Sequence, residues 1–352
     1  MLPRVSVQET AVQPRPSPTA AEFAQLRIAV VIPAYRVANQ IARVVRGLPA
    51  WVGSVIVVVD ASPDDTAARV KALIAEGESR VTLIEHERNR GVGGAMVTGF
   101  REALRQGAEL VVKMDGDDQM DPRYLPDMLA PLIEGRADVT KGNRYSSFAS
   151  LRQMPVVRLM GNAALTFLVK VATGYWTMFD PANGYVAMRR TVLELLDLDR
   201  LPPRYFFECG FLIELGMRRA VVQDVAIDAK YADEHSSLSV PRTALGFPPR
   251  LLAGFVRRIF WRYFVHDFSA VSVFLAFGLP AFAFGLYYGV DLYIDLNYRD
   301  LGYATAGQVM IAALPIAMGF QLLLQAVVLD IGGVPRTPLS PRMQPPGTRD
   351  AS

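Results

Sequence analysis

Residues 111–119 read Val-Val-Lys-Met-Asp-Gly-Asp-Asp-Gln, an apolar run that ends abruptly in carboxylates. The apolar part predicts a buried strand, and Asp115 and Asp117 then lie where the carboxyl end of that strand opens into a site. Ligands bind at this edge in open α/β sheets. Alternate carboxylates followed by the Gln119 amide are hard oxygen ligands of the kind that Mg²⁺ and Mn²⁺ prefer. The stretch therefore favours an α/β fold with a metal-binding edge, although Asp-x-Asp also occurs in ordinary turns.

The flanking sequence extends this strand into a regular alternation of apolar strands and helices. The predicted elements are strands at 27–32, 54–59, 81–85, 109–114, 137–141, 185–188 and 220–225, and helices at 40–48, 66–76, 94–106, 156–172 and 206–218. Several of the strands are continuously apolar, which is typical of a mostly parallel, Rossmann-like sheet with helices on both faces. No linker divides this region, so residues 27–240 are expected to form one domain.

Composition narrows the class of protein. The net charge is only +3 over 352 residues, which gives no argument for a nucleic-acid partner. Cys209 is the single cysteine, so an intramolecular disulfide and a cysteine-rich zinc site are both excluded. Residues 1–26 are rich in Pro, Gln, Ser and Thr, and residues 331–352 are rich in Pro and Gly. Both ends are predicted to be disordered tails.

Two long uncharged stretches follow the α/β domain. Residues 269–290 and 304–329 contain no charged side chain and are long enough to cross a bilayer core of about 30 Å. We interpret residues 269–330 as a hairpin of two transmembrane helices; the alternative is a pair of buried core helices. Residues 241–268 mix arginines with large apolar and aromatic side chains, which is typical of an amphipathic helix in the membrane interface.

The distribution of arginines predicts the orientation of this hairpin. Arg257, Arg258 and Arg262 lie before the first stretch, where they are expected to attract the headgroup region, and Arg336 and Arg342 follow the second. By the positive-inside bias, both termini and the α/β domain face the cytoplasm, and the short connecting loop lies outside. The sequence thus predicts a multi-pass protein of the cytoplasmic (inner) membrane.

Further polar motifs follow other predicted strands. The first strand ends in Pro33-Ala-Tyr35, and the second ends in Asp60, whose carboxylate can accept hydrogen bonds from a ribose or a base imide. The glycine-rich turn that contains Gly91 and Gly93 enters a helix and lets the backbone approach a ligand. The alternatives are a helix cap or turn at Asp60 and a plain tight turn at the glycines.

Together, the motifs resemble those of family 2 glycosyltransferases of the GT-A fold, in the polyprenyl-phosphate (dolichol-phosphate mannosyltransferase-like) branch. In order, the motifs are Val31-Ile-Pro-Ala-Tyr35, Asp60-Ala-Ser-Pro-Asp-Asp-Thr66, Asn89-x-Gly-x-Gly-Gly-Ala95, Asp115-Gly-Asp-Asp-Gln119, Lys141-Gly-Asn-Arg-Tyr145 and Asp180-Pro-Ala-Asn-Gly-Tyr185. The resemblance covers residues 27–240, and the two apolar stretches match the membrane-anchored members. Each motif is loose by itself, but their shared order is specific.

The resemblance implies roles for the residues at the matching positions. Asp115, Asp117 and Gln119 would hold Mg²⁺ or Mn²⁺ and the donor diphosphate, with Asp117 counted as a catalytic residue. The other catalytic residues would be Arg144 and Arg158, which position the acceptor phosphate; the alternative for both is a solvated surface charge. The rest of the nucleotide-sugar pocket would be lined by Pro33, Tyr35, Asp60, Gly91 and Gly93.

The implied activity is that of a membrane-anchored inverting hexosyltransferase. It would move a sugar from GDP-mannose or a UDP-hexose to polyprenyl or dolichyl phosphate, assisted by the metal. The implied partners are the nucleotide sugar, the lipid acceptor and the membrane, and relatives of this type are often homo-oligomers. One alternative is transfer to a non-lipid hydroxyl of a cell-envelope polysaccharide, and another is a non-catalytic membrane scaffold.

Two positions depart from the family pattern. The first motif continues Arg36-Val37 where the family often has Asn-Glu, and the family's Asp-Asp-Gly-Ser is replaced by Val59-Asp60-Ala61-Ser62. Neither change touches the metal motif. Both alter the base pocket, so the choice between UDP and GDP stays open.

Overall fold

The computed structural model describes residues 18–145, 156–228, 240–298, 303–341 and 343. Within these ranges, the side chains that are not described are those of residues 156–160, 162, 240–245 and 298.

The described residues contain a seven-stranded mixed sheet. Its strands are β1 (Ile28–Ala34), β2 (Ser54–Val59), β3 (Val81–Glu85), β4 (Leu110–Lys113), β5 (Val139–Asn143), β6 (Val186–Arg189) and β7 (Val222–Ala226). The strand order is β3-β2-β1-β4-β6-β5-β7. β6 runs antiparallel to both of its neighbours, and the other pairings are parallel. The predicted α/β fold with a mostly parallel sheet is confirmed.

Helices pack on both faces of the sheet and continue beyond it. They are α1 (Ala20–Ala24), α2 (Ile41–Gly47), α3 (Thr66–Ala75), α4 (Gly91–Arg105), α5 (Leu125–Ile133), α6 (Val156–Thr173), α7 (Arg190–Leu195), α8 (Phe207–Met217), α9 (Val240–Phe260), α10 (Ala270–Tyr298) and α11 (Ala306–Gly332). A π-helical turn, Trp261–His266, follows α9, and short 3₁₀ turns form at Pro122–Tyr124 and Leu198–Arg200. The bounds of β2 and β3 agree with the prediction residue for residue.

Burial on both faces explains why the central strands are continuously apolar. On β1, Val31 faces one hydrophobic core, and Val30 and Ile32 face the other. Gly99 allows α4 to lie directly on this strand, because a Cβ atom at that position would overlap the Val31 side chain. Strands covered in this way need no polar alternation.

The register of the sheet brings three strand ends to one edge. Ala34 pairs with Val59 between β1 and β2, and Val31 pairs with Lys113 between β1 and β4. The three strands run parallel, so the loops that follow their carboxyl ends converge on one side of the domain. This convergence positions the candidate site.

The amino-terminal end differs from the prediction of a disordered tail over residues 1–26. Ala20–Ala24 forms a helix that begins with a capping box. Phe23 is buried and stacks on Trp51 with ring centroids 4.8 Å apart. The prediction is therefore wrong for the described part of this segment, because the buried Phe23 side chain packs this helix against the core. Residues 1–17 lie outside the described ranges.

The carboxyl-terminal segment also differs from the predicted tail at residues 331–352. The Leu339 N–H donates to both carboxylate oxygens of Asp138 at 3.0 Å, and the Arg189 guanidinium donates to the Ser340 carbonyl at 2.7 Å. Asp138 and Arg189 are buried charged residues that need such partners. Disorder is therefore the wrong prediction for the described residues that follow α11.

The two carboxyl-terminal helices form an antiparallel pair. A Cβ atom at Gly319 of α11 would lie 2.5 Å from the Phe282 backbone nitrogen of α10, so a small residue is needed at this crossing. Both helices are long and apolar enough to cross a membrane, and most of their apolar side chains are not buried within the protein. α10 continues past its predicted end at residue 290 and includes Asp291 and Asp295.

Candidate active site

A cleft of about 560 Å³ lies where the carboxyl ends of β1, β2 and β4 converge. Its volume is typical of a small-molecule site. Among the residues that line it are six predicted site residues: Pro33, Tyr35, Asp60, Gly91, Asp115 and Asp117. The cleft therefore brings together side chains that the sequence separates by more than eighty positions.

Asp60 anchors the glycine-rich turn at one side of the cleft. Its buried carboxylate accepts hydrogen bonds from the backbone N–H groups of Arg90 at 2.8 Å and Gly91 at 2.7 Å. It also lies 2.7 Å from Nδ1 of His86, whose Nε2 is 2.9 Å from the Thr98 hydroxyl. His86 was not predicted as a site residue, and a histidine after an edge strand gives no signal by itself.

The segment after β1 is held by the motif that follows β2. The Arg36 N–H donates to the Ser62 hydroxyl at 2.7 Å, and the Ala38 N–H donates to the Asp64 carboxylate at 3.2 Å. Partial burial opposes the ionised form of Asp64, but hydrogen bonds from Ser62, Thr66 and Ala38 lower the pKa of its carboxyl to about 2. These bonds fix the loop that presents the half-exposed Tyr35 to the cleft.

The two predicted glycines have different surroundings. Gly91 has φ +80° and lines the cleft, and a Cβ atom there would lie 2.6 Å from the Pro203 carbonyl oxygen. A Cβ atom at Gly93 would overlap the Pro202 carbonyl oxygen. Close packing against the segment at residues 202–204 therefore requires both glycines, and Gly91 is the one that also lines the cleft.

Two carboxylates share a buried ammonium group at the floor of the cleft. Lys113 Nζ lies 2.6 Å from Asp115 Oδ1 and 3.6 Å from Glu208 Oε1. Burial would lower the pKa of Lys113, but Asp115 and Glu208 raise it above its ordinary value, so the side chain stays charged. Gly184 leaves room for this group, since a Cβ atom there would overlap Nζ. Glu208 was not predicted, because its helix reads as uniformly apolar around it.

Asp115 and Asp117 form an arrangement that fits a divalent cation. Both line the cleft, and Gln119 contributes its backbone N–H to Asp117 Oδ1 at 3.1 Å. In the described parts of the chain, no group of three or more His, Cys, Asp or Glu side chains could enclose a metal. Mg²⁺ commonly binds to one or two carboxylates and takes its remaining oxygen ligands from substrate phosphates and water. The donor set fits an open site of that kind.

Arg144 lies beside the cleft in a fixed orientation. Its guanidinium forms a two-point ion pair with the buried Asp180, with distances of 2.8 and 3.1 Å. Asp180 is followed directly by Pro181 and Ala182, which line the cleft. Arg158 belongs to α6, and its side chain lies outside the described residues.

The single cysteine lines the cleft but is chemically quiet. Cys209 is buried on α8, and burial raises the pKa of its thiol to about 12. A thiol in this state stays protonated and packs as a small apolar side chain.

A second group of charges, which the sequence did not predict, joins the α/β domain to the apolar hairpin. Asp330, in the last turn of α11, is buried and accepts two hydrogen bonds from Arg258 at 2.8 and 2.9 Å. The Tyr263 hydroxyl donates to it at 2.6 Å, and Arg262 lies 3.5 Å away. Arg258 also donates to the Ala172 carbonyl of α6 at 3.0 Å. We call Asp330, Arg258, Arg262 and Tyr263 the junction cluster.

The junction cluster corrects the role predicted for the arginines of this region. Arg258 and Arg262 are buried against Asp330 and do not face a headgroup layer. Arg257 is ion-paired with the buried Glu214 of α8. The physical reason is that a buried carboxylate is stable only with counter-charges and hydrogen bonds around it.

Comparison with known proteins identifies the family. The model of "Glycosyl transferase family 2" matches residues 29–196. UDP-N-acetylglucosamine--dolichyl-phosphate N-acetylglucosaminyltransferase of Methanococcus voltae is 28% identical over 62% of this chain and 92% of its own length. Undecaprenyl-phosphate mannosyltransferase of Micrococcus luteus is 30% identical over 55% of this chain and 78% of its own length. The chain belongs to glycosyltransferase family 2 and is a glycosyltransferase.

A solved structure supports the fold. Glucosyl-3-phosphoglycerate synthase from Mycobacterium tuberculosis, in complex with Mn²⁺, UDP-glucose and glycerol 3-phosphate, superposes with a TM-score of 0.51. The match covers 70% of this chain and 86% of that one at 22% identity. The seven-stranded sheet thus has the GT-A architecture that the motifs predicted, and that architecture has been crystallised with a divalent cation.

Proposed function

We propose that this chain is a membrane-anchored inverting glycosyltransferase that moves a sugar from a nucleotide sugar to a polyprenyl or dolichyl phosphate at the cytoplasmic face. The observation that carries the proposal is the cleft with Asp115 and Asp117 at the end of β4, on a domain joined to two long apolar helices. The lipid-phosphate acceptors in the names of the two relatives support it.

The donor would lie along the strand ends. Pro33 and Tyr35 line the side of the cleft where the nucleotide would bind, and Gly91 allows its backbone to approach the ligand. Asp60 holds the turn that contains Gly91 and thereby shapes this pocket. Asp115 and Asp117, with Gln119 beside them, would hold Mg²⁺ or Mn²⁺, which when bound neutralises charge on the leaving diphosphate.

For this reaction the protein needs only to position the two substrates and to balance the charge on the leaving group. A lipid phosphate monoester has a second pKa of about 6, so at neutral pH it is mostly a dianion and needs no general base. One phosphate oxygen forms a bond to C1 of the sugar while the bond from C1 to the diphosphate oxygen breaks, and the electron pair leaves with the nucleoside diphosphate. Displacement from the opposite face inverts the configuration at C1.

Arginines would position the attacking phosphate. Arg144 is held by Asp180 next to the cleft, so its guanidinium is already oriented before the lipid arrives. Arg158 on α6 is proposed as a second contact. Lys113 would orient the Asp115 carboxylate through their 2.6 Å ion pair.

The two apolar helices would anchor this domain in the cytoplasmic membrane, with both termini on the cytoplasmic side. In this proposal residues 27–240 form the catalytic domain, residues 241–268 form the interfacial region and residues 269–330 form the transmembrane hairpin. The junction cluster lies at the end of α11 and would hold the cleft next to the membrane surface.

The test is a product assay with purified protein in nanodiscs. A short-chain polyprenyl phosphate, Mg²⁺ or Mn²⁺ and a panel of GDP- and UDP-sugars are supplied, and sugar-linked lipid is measured by mass spectrometry with and without EDTA. The proposal expects lipid product from one donor and its loss with EDTA. Release of nucleoside diphosphate without any lipid product from the whole panel would refute the lipid acceptor.

Transfer to a hydroxyl acceptor is the second candidate, and Glu208 is the observation that favours it. A hydroxyl must lose its proton during attack, and Glu208 places a carboxylate in the cleft. If a hydroxyl is the acceptor, Glu208→Gln should abolish most of the activity. A lipid phosphate acceptor predicts that the variant keeps most of the wild-type activity.

A further inference from the structure

A second cleft of about 470 Å³ opens between α8, α9 and the segment that connects α7 to α8. Its lining is dominated by positive charge. The charged residues that line it are Arg200, Arg204, Arg250, Arg257 and Glu214. A concave surface with this composition attracts an anion.

Two of these arginines retain their full charge for a ligand. Arg257 is paired with Glu214, and Arg200 is paired with Asp197 at 3.0 Å. Arg204 and Arg250 form no ion pair within the described residues, although Arg250 stacks over the Phe206 ring at 5.8 Å. The stacking orients the Arg250 guanidinium without neutralising it.

We call the cleft at the ends of β1, β2 and β4, where the nucleotide sugar is proposed to bind, the donor cleft. Arg204 lines both the donor cleft and the second cleft. Its stem packs against the glycine-rich turn, since a Cβ atom at Gly91 would lie 2.8 Å from Arg204 Cγ. An anion bound in the second cleft would therefore share a cation with the donor cleft.

An exposed apolar stripe on α9 indicates how the second cleft would lie relative to a membrane. Leu252, Val256 and Phe260 recur every four residues and are 62%, 57% and 54% exposed, so they form one apolar stripe. Arg250 and Arg257 lie about a third of a turn away on the same helix. If the stripe contacts the acyl boundary, the arginine-lined cleft opens at the depth of the headgroups.

We propose that Arg204 and Arg250 bind the phosphate of the lipid acceptor at the membrane surface, before it reaches the donor cleft. The inference rests on the proposed function and adds a docking position in the second cleft, which meets the donor cleft at Arg204. A phosphate monoester carries between one and a half and two negative charges at neutral pH, which matches two unpaired guanidinium groups. Both arginines position the lipid and neither takes part in the transfer itself.

Direct binding of farnesyl phosphate tests the docking position without requiring turnover. The purified full chain is titrated in detergent with farnesyl phosphate, and separately with the nucleoside diphosphate. Arg204→Ala and Arg250→Ala should each weaken lipid-phosphate binding roughly 10- to 100-fold, as expected for loss of a charge-assisted contact. In Arg250→Ala, which alters a residue of the second cleft only, binding of the nucleoside diphosphate should stay unchanged. Arg69→Ala, an exposed arginine on α3, removes the same charge elsewhere and should alter neither affinity.

Kinetics and vesicle binding separate the remaining outcomes. Arg250→Ala should raise the KM for the lipid acceptor while leaving kcat and thermal stability near the wild-type values. Arg204→Lys should recover part of the lipid-phosphate affinity that Arg204→Ala loses. A different outcome is that both variants bind less tightly to anionic vesicles that lack the acceptor but keep the wild-type affinity for farnesyl phosphate. That outcome would show that the cleft binds the headgroups of ordinary membrane lipids, and it would overturn the proposal. Unchanged binding of both ligands would also overturn it.

The design distinguishes this inference from the proposed function. If the wild type transfers sugar to lipid but the arginine variants bind and turn over the acceptor normally, only the docking position fails. If the wild type binds farnesyl phosphate in an arginine-dependent manner but yields no lipid product with any donor, the proposed transfer fails and the docking position stands.

Discussion

The donor cleft and the junction cluster are built from similar residue types in opposite ways. The cleft collects carboxylates and glycines from short stretches that directly follow strands, such as Asp60 and Asp115. The junction cluster collects Asp330, Arg258 and Tyr263 from helices that no local pattern connects. The first opens to solvent at Asp115 and Asp117, where we propose that a ligand binds, whereas the second is buried and satisfies its own charges. The same residue types would therefore serve recognition in one region and assembly in the other.

The largest expected effect is the loss of sugar transfer on substitution of Asp117 in the donor cleft. Asp117→Asn removes a negative oxygen ligand but keeps the acceptor for the Gln119 N–H. Transfer to the lipid acceptor should fall about a thousandfold or more, because charge on the leaving diphosphate is no longer balanced. Mn²⁺ affinity, measured by electron paramagnetic resonance, should fall as well, while the thermal unfolding temperature stays unchanged.

Asp127→Asn is the matched control for that substitution, since Asp127 is an exposed residue on α5. It should leave both transfer and Mn²⁺ binding intact. Wild-type Mn²⁺ affinity in Asp117→Asn would show that the cleft carboxylates do not hold the cation.

Substitutions in the junction cluster should lower the stability of the protein and leave donor binding unchanged. Asp330→Asn leaves Arg258 buried without its counter-charge, which costs about 3–5 kcal/mol. The unfolding temperature in nanodiscs should fall by roughly 5–10 °C, with donor binding retained below the transition. Asp199→Asn, which removes a partner from the exposed ion pair with Arg101, should change it by less than about 2 °C.

A double substitution sharpens the same point. Arg258→Met combined with Asp330→Leu removes the two-point ion pair and should restore part of the stability lost in Asp330→Asn, although Arg262 stays buried beside the site. If the double variant were less stable than Asp330→Asn, the cluster would contribute by attraction beyond the satisfaction of buried charge.

The packing of the glycine-rich turn gives a smaller effect. Gly93→Ala introduces a methyl group against the Pro202 carbonyl and should destabilise the fold by about 1–3 kcal/mol in denaturant unfolding. Gly161→Ala in α6 meets no atom within 4 Å and should be neutral or slightly stabilising, because alanine favours a helix. Equal behaviour of the two variants would contradict the close packing at Gly93.

The smallest expected effect is the pH dependence contributed by Asp64. Its folded pKa of about 2 lies below the ordinary 3.8, so its stabilising contribution is present above pH 3.8 and is lost as the pH falls through about 2. Partial exposure limits this contribution to about 1 kcal/mol. The difference in unfolding free energy between wild type and Asp64→Asn should be present at pH 6 and near zero at pH 2. A constant difference over that range would exclude linkage to this carboxyl.

The same contrast explains what the sequence could predict. β2 and β3 are found at their predicted residues, because continuous apolar runs bounded by turns define buried strands. α5 was not predicted: it contains Pro126 in its opening turn, where proline is tolerated, and Pro131 in its interior, where proline disfavours a helix. Asp330 was placed at the end of the predicted hairpin without a role, because its partners are set by the docking of α9 and α11 and not by neighbouring residues.

The site residues that could be predicted are likewise those that directly follow a strand. Asp115 and Asp117 follow a strand directly, so their position at the sheet edge could be predicted. Glu208 and His86 reach the site from other elements, and only the tertiary structure brings them to Lys113 and Asp60.

Phosphorus NMR of a single reaction tests the central claim most directly. Wild-type protein in nanodiscs is mixed with the preferred nucleotide sugar, Mg²⁺ and a polyprenyl phosphate, and the monoester, diester and nucleoside diphosphate resonances are followed together. The account predicts that the lipid monoester signal is converted into a phosphodiester signal, with nucleoside diphosphate appearing in equal amount. Formation of nucleoside diphosphate while the monoester signal stays constant would contradict it.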